Sequence, residues 1–159
     1  VDTNPTPSHQ GANNYPMKFF ITGTRRGIGK FLSNKLPTTQ DVTEADVFIN
    51  CKHDGFEQVR LLYEAAKIPG IKIINISSNS GDGIRNKVHP YAVEKIALDA
   101  ANEQLFYQGV DTISLRFGYI DTDRVAHINE PKMSLDYIYE VVEWILIQPH
   151  RIKELTIIP

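Results

Sequence analysis

Cys51 is the only cysteine among 159 residues. No internal disulfide can form, so the fold has to be held by its core. The same scarcity fits a reducing compartment, and a soluble, cytoplasmic protein is expected. An excess of one charge is also missing. With 19 acidic and 17 basic side chains the formal charge is -2, which supplies neither a basic face for nucleic acid nor an acidic tail. No apolar run approaches the roughly 18 residues of a membrane span, and no signal-like hydrophobic segment appears. His53, His89, His127 and His150 are scattered without ligand spacing, which argues against zinc. The chemistry is therefore sought with small molecules rather than with nucleic acid, membrane or metal.

What is present is ordinary for a globular protein: 42% hydrophobic and 23% charged residues. A chain of this size buries roughly two thirds of its unfolded surface, enough for one core. Residues 1–16 are polar, proline-containing and aperiodic. They read as a leader or disordered arm, with residues 17–159 as a single domain beginning at Met17.

From Met17 onward, short apolar runs alternate with amphipathic stretches, the pattern of an α/β fold. Strands are expected at 17–22, 46–50, 71–76, 112–117 and 155–158. Helices are expected at 28–36, at 56–67 with Phe56, Val59, Leu62, Tyr63 and Ala66 on its apolar face, and at 90–108. A last helix follows the N-cap Ser134. Pro90 suits a first helical position, and Gly109 a left-handed residue just past a helix end. Strands joined by helical crossovers imply a parallel sheet covered on both faces, a Rossmann-like doubly wound architecture of about five strands.

Three segments carry chemistry. Thr22-Gly23-Thr24-Arg25-Arg26-Gly27-Ile28-Gly29 lies between a strand and a helix, where glycines let the backbone approach a pyrophosphate and helix amides supply donors. Tyr91-Ala92-Val93-Glu94-Lys95 puts a phenol and an ammonium on one helix face. A cation about 4 Å from the phenol, at an effective dielectric of ~20, favours the phenolate by roughly 4 kcal/mol. Asn75-Ile76-Ser77-Ser78-Asn79-Ser80-Gly81 leaves a strand at its carboxyl end, the side where parallel sheets bind ligands. Alone, each segment also fits a plain turn or a solvated helix face.

In this order and context the three segments resemble the short-chain dehydrogenase/reductase family, of which the chain looks like a truncated member. Asp46-Val47-Phe48-Ile49-Asn50 resembles the strand before the family's Asn-Asn-Ala-Gly motif. Arg116-Phe117-Gly118-Tyr119-Ile120-Asp121-Thr122 resembles its Arg-x-Pro-Gly-x-x-x-Thr segment, with Phe117 in place of proline. The resemblance implies an oxidoreductase that interconverts a small carbonyl compound and its alcohol. By that resemblance Tyr91 would be the general acid/base, Lys95 would stabilise its phenolate and hold the nicotinamide ribose, and Ser78 would donate to the substrate oxygen. Gly23, Gly27, Ile28 and Gly29 would cradle the pyrophosphate. Asn50, Ile120 and Thr122 would also face the cofactor. Arg25 and Arg26 would pair with a 2′-phosphate, so NADP is favoured over NAD. An epimerase or dehydratase on the same scaffold, and a non-catalytic dinucleotide- or partner-binding protein, are the alternatives.

The departures from the family are as telling. Between Gly23 and Asn50 there is no room for the second and third strands and their helices, only for a strand fragment near residues 40–43. Asp41-Val42 resembles an adenine-contacting pair. The exposed edge so created predicts self-association, residual strand pairing or coverage by the leader. Asn50-Cys51-Lys52-His53 replaces Asn-Asn-Ala-Gly, no asparagine matches the family's fourth polar residue, and the stretch from Thr122 to Ser134 is short for a lid.

Overall fold

The computed structural model describes residues 17–84 and 86–159; the expected arm at 1–16 lies outside them. Five strands, β1 (Phe19–Ile21), β2 (Val47–Asn50), β3 (Lys72–Ser78), β4 (Asp111–Phe117) and β5 (Glu154–Ile157), form one parallel sheet in the order β1-β2-β3-β4-β5. Four helices connect them: α1 (Gly27–Lys35), α2 (Glu57–Ala65), α3 (Pro90–Tyr107) and α4 (Leu135–Leu146). Ser134 caps α4 by accepting from Tyr137 N, and Gly109 follows α3 at φ 95°.

Alternation along the strands builds two cores. Val47 and Ile49 turn to one face, where Leu32 of α1 meets Ile138, Val142 and Ile145 of α4. Phe48 turns to the other, with Leu62 and Ala65 of α2 and Leu98 and Ala101 of α3. A period of two, buried on both sides, is what a central parallel strand requires. The expected apolar face of α2 is met in part: Leu62 is buried, and Val59 and Ala66 pack against the second core. Gln58, Leu62 and Ala65 point inward, while Phe56 and Tyr63 are exposed. Tyr63 instead sends its hydroxyl to Gln104 on α3.

Because α1 and α2 lie on opposite faces, a direct β1-α1-β2 crossover would have the opposite hand to β2-α2-β3. The chain avoids this. Thr38 makes a parallel bridge on the outer edge of β1, with Phe19 N donating to Pro37 O and Thr39 N to Phe19 O, both at 2.9 Å. The path then returns over the α2/α3 face, where Val42 packs into the second core. Both crossovers thereby satisfy the single-handed rule. Of the expected fates of the β1 edge, residual strand pairing is seen among the described residues; coverage by the arm at 1–16 lies outside them. The fragment is at 37–39 rather than 40–43, because residues Val42–Glu44 wind into a 3₁₀ turn. Asp41 caps that turn through Thr43 N and Oγ1, which commits its carboxylate locally.

The reversal of direction at β1 creates a crevice between the carboxyl ends of β1 and β2, the place where sheets of this kind take ligands.

Candidate active site

The glycine loop enters that crevice in a conformation its residues dictate. Gly23 and Gly27 have φ of 72° and 63°, a region that disfavours side chains. At Gly29 the constraint is contact: a Cβ would lie 2.2 Å from Gly23 O. The helix that follows starts bare. Arg26 at its N-cap makes no side-chain cap and the first turn holds no acid, leaving amide donors and a positive dipole end for an anion. Arg25 and Arg26 are exposed beside it. Ile28, partly buried, packs against the first core. Gly27 and Thr122 line opposite sides of a recess of about 250 Å³ with Lys30, Phe31 and Asp121.

Thr22 ties this loop to the exit of β2. Its Oγ1 accepts from Cys51 N at 2.9 Å and Lys52 N at 3.1 Å. The amide of Gly29 reaches the Cys51 sulfur. Burial of that sulfur raises the thiol to about 11, against the pull of Lys95 and the Gly29 N–H. Cys51 is thus a neutral thiol at pH 7, as expected for a small packed residue rather than a nucleophile.

The face of α3 turned to the sheet is a polar stripe: Tyr91, Lys95, Asp99 and Asn102 recur at helical spacing. Lys95 is buried at 3% exposure. Its Nζ donates to Gln58 Oε1 at 2.7 Å and Ile76 O at 3.0 Å, and lies 5.4 Å from the Tyr91 ring centre. Burial lowers this ammonium to about 8; Arg124 lowers it further, while Cys51, Asp99 and Glu94 oppose. It still carries its proton at pH 7. The ammonium is thus held from behind, close to the Tyr91 ring.

Ser78 is the last residue of β3. The strand runs two residues beyond its expected end, because both serines pair with β4. Ser78 Oγ accepts from Ser80 N at 3.0 Å, so its own hydrogen is left to donate outward. Behind it, Ser77 donates to Asp99, which also holds Arg116.

Asn50 ends β2 at the crevice and is fully buried; its Nδ2 donates to Gln58 O and Asn75 Oδ1, while its Oδ1 has no partner among the described residues. Its amide nitrogen thus joins an internal ladder running through Asn75, Asn102 and Thr112. Ile120 is also buried, bridging Met133. Thr122 stands free of that bridge, on the recess.

Four residues at the site were not singled out from the sequence. Gln58 is 2% exposed; its Nε2 donates to Asn50 O and Ile76 O while its oxygen receives Lys95. The only hint is a glutamine in the first turn of an amphipathic helix. His53 packs edge-on against Tyr91 at 4.7 Å between ring centres and bonds Glu94 at 3.0 Å. Burial lowers the His53 imidazole, Lys95 and Arg124 add to that, and Glu94 opposes. Its Nδ1 is buried without a partner. His89, Nδ1 on Ala92 N, is the N-cap of α3 and meets Tyr91 from another side at 6.2 Å. The histidines are scattered in sequence, but two of them meet at the phenol. The fourth missed residue, Arg124, places its guanidinium 5.7 Å from the Tyr91 ring centre. No group of three metal-ligating side chains occurs among the described residues.

No protein-family profile and no curated protein sequence matches the chain. Solved structures do. A short-chain dehydrogenase from Burkholderia cenocepacia in complex with NADP superposes with a TM-score of 0.65 at 17% identity, covering 89% of this chain and 88% of that one. An alcohol dehydrogenase from Thermococcus sibiricus complexed with 5-hydroxy-NADP gives 0.66 at 16%, over 89% and 95%. The acetoin dehydrogenase of Salmonella typhimurium gives 0.65 at 15%, over 91% and 95%. At these identities the likeness establishes the fold: this chain is built on the Rossmann-like scaffold of the short-chain dehydrogenases.

Proposed function

We propose that the chain is a truncated short-chain dehydrogenase/reductase, an oxidoreductase that binds a nicotinamide dinucleotide in the β1/β2 crevice and interconverts a small carbonyl compound and its alcohol. The observation that carries this reading is the buried Lys95 ammonium at 5.4 Å from the Tyr91 ring centre, at the carboxyl end of a sheet whose first turn is a glycine loop. The similar structures solved with NADP and with 5-hydroxy-NADP support the same cofactor class.

The residues present fit a dinucleotide. Gly29 leaves no room for a Cβ, and the bare amides of α1 match a pyrophosphate. Thr122 on the recess would meet the carboxamide, and exposed Arg25 and Arg26 favour the 2′-phosphate of NADP, with NAD also accommodated. When bound, the dinucleotide supplies the hydride. The chain supplies the proton and the field. Tyr91 gives its phenolic proton to the carbonyl oxygen, or takes it back in the alcohol direction. Lys95 steadies the phenolate so formed, by about 3 kcal/mol at an effective dielectric of ~20 and this separation. Ser78, its hydroxyl hydrogen uncommitted, donates to the same oxygen as charge builds there.

Calorimetric titration with NADPH and NADH, followed by a carbonyl screen read at the NADPH absorbance, tests the reading. Tyr91→Phe should abolish turnover while leaving cofactor affinity within a few fold, and Lys95→Ala should damage both. Full activity in Tyr91→Phe, or no heat with either dinucleotide at millimolar concentration, would end it.

A further inference from the structure

Arg124 sits on a 3₁₀ turn, Asp123–Val125, in a loop closed at its base by the Ile120–Met133 bridge. Asp121 N donates to Met133 O at 2.8 Å, and Met133 N to Tyr119 O at 2.9 Å. This short loop stands where a lid would cover the crevice, and it delivers one guanidinium to the Tyr91 ring. Arg124 is an exposed residue, open to solvent on the mouth of the cleft, with its guanidinium reaching toward the ring.

The charges around it do not balance. Among the described residues no carboxylate lies within ion-pair distance of Arg124, whereas Arg116 alone meets Asp82, Asp99 and Glu154. The nearest acid on α3, Glu94, is held by His53. Asp121 and Asp123 line the recess shared with Gly27 and Lys30. Arg124 also opposes the charged forms of His53 and Lys95, so its field is directed into the cleft those groups share. A guanidinium and a buried ammonium, 5.7 Å and 5.4 Å from the centre of one phenol ring, give the cleft a positive field that attracts an anion, and the planar guanidinium suits a carboxylate in particular.

We infer that Arg124 binds the carboxylate of the substrate, which makes the preferred substrates short oxo acids and their hydroxy acids. This inference rests on the oxidoreductase reading above and deepens it. The oxo carbon accepts the hydride and its oxygen accepts the Tyr91 proton, giving the hydroxy acid and the oxidised dinucleotide. The carboxylate is unchanged throughout and serves to aim the carbonyl at Tyr91.

Pyruvate and acetoacetate are to be compared with their methyl esters, in wild type and in Arg124→Gln and Arg124→Lys. Loss of a charge-assisted pair corresponds to at least about tenfold, so wild type should favour each acid over its ester by that factor in kcat/KM. In Arg124→Gln the ratio should fall toward one, with Arg124→Lys between. A second readout needs no turnover: saturation-transfer NMR on the methyl protons of pyruvate, with NADP⁺ present. The signal should be strong in wild type, retained in Tyr91→Phe and lost in Arg124→Gln. Esters reduced as well as acids, acid binding that survives Arg124→Gln, or an Arg124→Gln defect confined to NADPH affinity would each overturn the inference while leaving the oxidoreductase reading intact. Arg124-dependent acid binding with no turnover of any acid or ester would instead sink the oxidoreductase reading and keep the anion site.

Discussion

The side-chain oxygen of Gln58 lies 2.7 Å from the ammonium of Lys95, and its nitrogen closes on Asn50 O and Ile76 O. One uncharged side chain on α2 thus joins three elements and holds the cation behind the phenol. A neutral acceptor tolerates a charge without cancelling its field, which leaves that field directed at Tyr91.

Gln58→Leu should cost about 2–4 kcal/mol of stability, since it removes one of the two acceptors of a buried ammonium and the side-chain donor to Asn50 O. Urea unfolding checks this. Gln58→Glu places an anion beside the ammonium, so Lys95 should titrate well above its present value of about 8. An unmoved alkaline limb of the pH–rate profile in Gln58→Glu would show that Lys95 does not govern it.

Stability should depend on pH in a defined window. Lys95 falls from 10.5 unfolded to about 8 folded, so the unfolded chain holds the extra proton and stability rises as pH climbs from 8 toward 10.5. Cys51 has the opposite sign: its thiol is raised from 9.0 to about 11, and that contribution is lost as pH climbs from 9 to 11. At roughly 1.4 kcal/mol per pH unit for one proton, the net gain is about 1 kcal/mol between pH 8 and 9, then a plateau. Cys51→Ala should extend the rise toward pH 10.5. At the acid end His53 is lowered below 6.5, so stability should decline as pH falls beneath that value. Urea midpoints from pH 5 to 10 would expose a flat profile if these assignments are wrong.

Two glycines in one loop should fail for different reasons. Gly29→Ala drives a Cβ into the Gly23 and Thr22 carbonyls, and overpacking against backbone costs about 1–3 kcal/mol with a displaced loop. Gly27→Ala meets no atom within 4 Å, and its cost of about 1 kcal/mol is left-handed backbone strain alone. Gly29→Ala should therefore weaken dinucleotide affinity far more than it lowers the melting temperature by comparison with Gly27→Ala. Equal effects in both readouts would contradict the assigned difference.

Residues with a local signature were legible in the sequence. Gly23, Gly27 and Gly29 declare a turn, Pro90 and Ser134 declare helix starts, and strand and helix boundaries follow within a residue or two. Tyr91 and Lys95 were legible because helical spacing alone puts them on one face. What stayed hidden depends on distant segments meeting. Gln58 is polar in a position that periodicity assigns to solvent, and it is buried only because Asn50, Ile76 and Lys95 satisfy it. Arg124 and His53 follow loops whose closure by Met133 and Thr22 leaves no pattern in their neighbours. The ladder that takes up the Asn50 amide nitrogen was hidden for the same reason: Asn75, Asn102 and Thr112 are remote in sequence.

The lone ladder residue Thr38 has a consequence for how such domains can be remodelled. The pairing registers of β2 through β5 make no reference to anything beyond β1, and the turn at Val42–Glu44 is capped within itself by Asp41. The part of the sheet outside β1 is accordingly a detachable attachment. A strand-and-helix cassette spliced between Leu36 and Ala45 would extend the sheet edge without retuning the half that carries Ser78, Tyr91 and Lys95.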